Sequence, residues 1–90
     1  MSTGVNEEFS FLSTAEIAKV LAKRIQVQRK KKFKTQLDFA EHIGLTYSKV
    51  SRFEKSGNIQ FKDLLIILKA LNMVDELQEL FCQKDELIRW

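Results

Sequence analysis

Tyr47, Ser48, Lys49, Ser51 and Arg52 can each donate a hydrogen bond, and two of them carry a positive charge. If residues 47–55 form a helix, Val50 and Phe53, three apart, turn to one side. The five donors then form the outward face. A short helix with an apolar back and a cationic, donor-rich front suits the major groove of DNA, where base edges present acceptors and arginine can bond guanine in two places. Tyr47, Ser48 and Arg52, with Lys49 next, are the expected base readers. Catalytic chemistry is far less well supplied. His42 is the one histidine, Cys82 is the one cysteine, and no glycine-rich phosphate loop occurs. No enzyme activity, metal site or cofactor is therefore expected.

The face needs a support, and the stretch QLDFAEHIGLTYSKVSRFEK at residues 36–55 reads as one. Apolar residues fall at Leu37, Phe39, Ala40, Ile43, Leu45, Val50 and Phe53. Small Ala40 sits where a bulky side chain would push the second helix away. Gly44 sits at the turn, where φ is expected to be positive. Leu45 plugs the corner, and Thr46 can cap the next helix. The alternative is a purely structural corner, which many small helical proteins contain.

Charge is uneven along the chain. Between Lys19 and Lys62 there are twelve basic residues and three acidic ones, Asp38, Glu41 and Glu54. From Asp63 onward six acids face three bases. The middle suits a polyanion and the end does not. Lys30, Lys31, Lys32 and Lys34 are expected at DNA phosphates, although cations also suit a helix C-terminus. Lys55 and Asn58, at and just beyond the end of the reading helix, join them. Gln36, beside the free N–H groups of a helix start, is a further phosphate candidate. A basic amphipathic helix could instead meet anionic lipid or an acidic protein, but its apolar side is needed for the core.

The remaining elements follow from caps and periodicity. The chain has 90 residues, no proline and three glycines, which fits one small all-α domain. Helices are expected near 14–31, 36–43, 47–55, 61–71 and 74–83. Ser13 and Glu16 have capping-box spacing. Thr35 caps the second helix, and Gly57 is a left-handed C-cap. The first helix carries Ile17, Val20, Leu21, Arg24, Ile25 and Gln28 on one stripe. The fourth is expected to bury Phe61, Leu64, Leu65, Leu68 and Leu71, with Ile66 and Ile67 in excess. Val74, Leu77, Leu80 and Phe81 share one face of the fifth. Residues 1–12 form an arm, 13–83 the domain and 84–90 a tail. The arm, with Phe9, Phe11 and Leu12, either folds back on its own core or packs on a second subunit. The longest apolar run is five residues, 64–68, and no secretory leader is visible, so a cytoplasmic, nucleoid-associated location without membrane contact is expected.

The helix order and the string TQLDFAEHIGLTYSKVSRFEKSG resemble the phage-repressor/Cro-type helix-turn-helix domains, the Xre family, over about residues 16–72. The resemblance implies a five-helix bundle of the lambda-repressor-like type that binds operator DNA as a dimer. It implies that Gln36 bonds phosphate and supports the reading helix. It places Tyr47, Ser48, Lys49 and Arg52 at bases or flanking phosphates, and makes Arg29 and Glu54 a buried ion pair. Two departures stand out. Phe33 and Lys34 occupy positions where the family usually has Gly or Asn and then an apolar residue. The loop at 56–60 is one residue shorter than the commonest pattern. That short form, SRFEKSGNIQFKDLLIILKALNMVDELQELF, is similar to the HipB-like antitoxins encoded beside HipA-type kinase toxins. It implies autoregulation of a toxin operon and binding of a toxin protein.

The expected function is a sequence-specific transcriptional repressor on double-stranded DNA. The alternative is an antitoxin whose main act is holding its protein partner. One reading helix touches only half an operator, so a homodimer is expected. Phe81, Leu87, Ile88 and Trp90 are the candidate contact, unless Trp90 closes its own domain; Phe9 and Phe11 of the arm are the rival.

Overall fold

The computed structural model describes residues 8–82 of the chain. They are all helical: a 3-10 turn at Phe9–Phe11, then α1 (Thr14–Lys32), α2 (Gln36–Ile43), α3 (Tyr47–Ser56), α4 (Phe61–Ala70) and α5 (Val74–Glu79). The arm residues 1–7 and the tail 84–90, with Leu87, Ile88 and Trp90, lie outside the described residues.

Side-chain caps set the starts of three helices. Ser13 and Glu16 form a reciprocal capping box at α1. Thr35 Oγ1 accepts from the Asp38 N–H at α2, and Thr46 Oγ1 from the Lys49 N–H at α3. Each bond satisfies a donor that the first helical turn leaves without a partner, which stabilises a helix by about 1 kcal/mol. Left-handed glycines end α2 and α3: Gly44 has φ 78° and Gly57 φ 87°.

The two glycines differ in their surroundings. A Cβ on Gly44 would meet nothing within 4 Å, so only the turn demands glycine there. A Cβ on Gly57 would lie 2.6 Å from the Ala18 Cβ and 2.7 Å from the Ala18 backbone. Gly57 is therefore also where the end of α3 comes down onto α1, and α1 packs most extensively against α3.

The core joins Ala22 and Ile25 of α1, Phe39 and Ala40 of α2, Val50 and Phe53 of α3, Ile67 and Leu68 of α4, and Leu71. Phe33 packs against it, its ring 5.1 Å from Phe39 and 4.9 Å from His42. An aromatic thus covers the core directly after α1.

Three expectations need correction. On α1 the buried residues are Ala22, Ile25 and Arg29, while Leu21 and Arg24 are exposed. Small Ala18 lies where Gly57, at the end of α3, meets this helix. On α4 Phe61 is 71% exposed and Ile67 is buried. The inward row is Asp63, Ile67 and Leu71, spaced by four, and Phe61 falls off it. Finally, α5 stops at Glu79 instead of reaching residue 83. Leu80 is extended, Phe81 has φ 61°, and both are exposed. The last turn of α5 contains no base and ends in a glutamate, which opposes the helix dipole. Only Leu77 of α5 packs against the core, and a short helix with so little tertiary contact does not propagate.

Candidate nucleic-acid interface

The candidate interface is built on α3. Val50 and Phe53 are buried behind it, and Tyr47, Ser48, Lys49 and Arg52 are exposed in front; Ser51 is half-buried among them. The helix continues one residue further than expected, to Ser56. There the Ser56 hydroxyl donates to the Arg52 carbonyl at 2.8 Å and accepts from the Asn58 N–H at 3.1 Å. That double use of one hydroxyl closes the helix and fixes the turn carrying exposed Asn58.

Behind the face, Glu54 is the centre of a polar cluster joining three helices. Arg29 Nε donates to Glu54 Oε2 at 2.9 Å, and Arg29 Nη2 to Glu54 Oε1 at 2.8 Å. Both side chains are 3% exposed. Gln26 and Gln36 add amide donors to Oε1 at 3.0 and 2.8 Å. Arg29 Nη1 reaches the other way, donating to the Phe33 and Lys34 carbonyls at 2.9 and 3.1 Å. Burial pushes the Glu54 carboxyl up, but the hydrogen bonds from Arg29, Gln36 and Gln26 outweigh it and hold it below the ordinary carboxylate value. Donating to the Glu54 carboxylate raises Arg29 above its ordinary value. The pair therefore stays charged, with its donors and acceptors satisfied inside the protein.

Gln36 commits one amide N–H to Glu54, while an amide carries two. It connects the start of α2 to the back of α3, at the position where the sequence suggests a phosphate contact. Lys30, Lys31, Lys32 and Lys34 are all exposed around the end of α1.

The other flank of α3 is a cleft of about 290 Å³ lined by Lys49, Arg52, Asn58, Ile59, Gln60 and Asp63. Lys49 Nζ lies 3.3 Å from Asp63 Oδ2; the lysine side chain is 48% exposed and the aspartate 5%. Lys49 is thus turned partly toward α4, whereas Tyr47, Ser48 and Arg52 have no such carboxylate partner among the described ion pairs.

Sequence reasoning missed two of these residues. Gln26 lies among the polar residues of α1, and nothing marks it as a donor to Glu54. Asp63 reads as an acid in the first turn of α4, a common solvated position, yet it is buried. Its four-residue spacing from Ile67 and Leu71 was the available signal.

Among the described residues no helix is long and apolar enough to cross a membrane. No known family model matches this chain, and no curated protein is significantly similar to it.

Proposed function

We propose that the protein is a sequence-specific DNA-binding transcriptional regulator. It acts as a repressor of the phage-repressor/Cro type and occupies a pseudo-palindromic operator as a homodimer, on nucleoid DNA in the cytoplasm. The observation that carries this reading is the front of α3, where exposed Tyr47, Ser48 and Arg52 stand on a helix fixed from behind by Val50, Phe53 and Glu54. Base readout needs such a rigid platform, because hydrogen bonds to base edges discriminate only when donors arrive in register. Lys30, Lys31, Lys32, Lys34, Gln36, Lys55 and Asn58 supply phosphate contacts that set the helix in the groove.

Selection of bound fragments from a random duplex pool tests the reading. A recurring two-half-site sequence is expected, and recovery of no preferred sequence refutes it. On the selected site Arg52→Ala should cost about 1–3 kcal/mol and leave random DNA nearly unaffected. Equal loss on both would move Arg52 to the backbone.

The antitoxin reading has its own support in the apolar side chains that the core leaves outside, Val74, Leu80 and Phe81. Such a surface suits a protein partner, either a second copy or a toxin. Sedimentation of the full chain and of a chain lacking residues 84–90 separates a tail-mediated dimer from one built by the arm or by α4 and α5. A kinase-like reading frame beside the gene, whose product co-purifies with this chain, would favour the antitoxin.

A further inference from the structure

A second trough, of about 420 Å³, lies between α1 and the C-terminal half of α3, lined by Lys19, Val20, Lys23, Arg24, Glu54 and Lys55. We propose that it binds a DNA phosphodiester strand through Lys19, Lys23 and Lys55, extending the contact surface onto the first half of α1. The inference rests on the DNA-binding reading above.

Fold stability gives no reason for these lysines. Residues 17–37 contain eight cations and no acid. Lys30, Lys31 and Lys32 gain from the dipole at the end of α1. Lys19 and Lys23 sit well before it. Their spacing of four makes them a like-charge pair on the helix surface, which is mildly unfavourable in a free protein. From Ile17 to its end the helix sets no acid among these lysines.

Glu54 is the acid among the residues that line the trough, and it is already engaged. Glu54 is closed off by Arg29, Gln26 and Gln36. Glu16 bonds the Ser13 N–H at the start of α1, and Glu8 lies on the arm. Arg24, at the edge, stacks over the Phe9 ring at 5.3 Å, so the arm holds that guanidinium in place. Lys19, Lys23 and Lys55 are all exposed.

The trough also adjoins the outward face of α3 through Lys55. Lys55 follows Ser48 by seven residues, Ser51 by four and Arg52 by three, which puts it on the reading stripe. The ten residues of α3 span about 15 Å, and the major groove is about 12 Å wide. A helix reading bases with its N-terminal residues, and crossing the groove, brings its far end to the phosphate wall. There Lys55 meets the backbone, and Lys19 and Lys23 continue the cationic surface across the trough.

The test is the salt dependence of binding to the selected operator and to a random duplex. Lys19→Ala/Lys23→Ala should keep the melting temperature, weaken binding to both DNAs alike, and reduce the slope of log K against log salt by about 1.8. Lys19→Glu/Lys23→Glu should weaken both further. An unchanged slope in the alanine variant, with wild-type protein binding normally, overturns the trough alone. The same unchanged slope with lost binding to poly-L-glutamate would assign the trough to an acidic protein instead. Wild-type protein that binds neither duplex removes the DNA-binding reading, and this inference with it.

Discussion

The two flanks of α3 are each crossed by an ion pair, and the pairs are built differently. On the α1 side Arg29 and Glu54 meet through two short bonds, both buried, with two glutamine amides completing the carboxylate's shell. On the α4 side Lys49 reaches buried Asp63 through one 3.3 Å contact and leaves about half its own side chain in solvent. A planar guanidinium has fixed donors that suit a permanent joint, while an ammonium on a flexible stem exchanges partners easily. The first flank fixes where α3 stands. The second can release its cation to a ligand.

Breaking the α1 flank should have the largest effect. Glu54→Gln strands Arg29 and should cost about 3–5 kcal/mol, because an unpaired buried charge is left behind. For a domain of this size that lowers Tm by more than about 12 °C. A melting curve within 2 °C of wild type, on the order of measurement error, would mean the pair contributes nothing.

Acid probes the same flank without mutation. The folded-state pKa of Glu54 is depressed, so its contribution is fully present above the unfolded value of about 4.3. It is lost as pH falls through that value and then through the folded one. The Tm difference between wild type and Glu54→Gln should therefore narrow below about pH 4. A constant gap across that window would place the effect elsewhere.

Next comes the close approach at the end of α3. Gly57→Ala should destabilise by about 2–4 kcal/mol, combining left-handed backbone strain with overpacking against Ala18. Gly44→Ala carries only the backbone part, about 1–2 kcal/mol. Chemical denaturation of the two variants in parallel checks the ranking; equal losses would show that α1 yields at Ala18.

The α4 flank should give the smallest effect on stability and a visible one on binding. Asp63→Asn should change stability by about 1 kcal/mol or less. By releasing Lys49 to a phosphate, it should steepen the salt slope on random DNA by about 1. No change in slope would show that Lys49 stays on α4 in the complex.

The same contrast marks what could be read from the chain alone. The starts of α1, α2 and α3 were legible because each depends on a hydroxyl and an N–H three residues later, a local arrangement. Gly44 and Gly57 marked helix ends for the same reason. The outward face of α3 followed from the spacing of Val50 and Phe53. The roles of Arg29 and Glu54 came from family resemblance, since a pairing across 25 residues leaves no local pattern. Gln26, Asp63 and the contact of Gly57 with Ala18 were missed because each depends on how helices cross. The early end of α5 was missed because its apolar spacing favours continuation, whereas its dipole and scant core contact oppose it.

Arg29 also donates two bonds to the carbonyls of Phe33 and Lys34. These tie the linker between α1 and α2 to the carboxylate at the back of α3. Fraying of the last turn of α1 must then disturb Glu54, and through it Gln36 at the head of α2. Amide hydrogens around residues 33–39 would therefore exchange with those of α3 as one cooperative unit, although the linker itself is only three residues between helices.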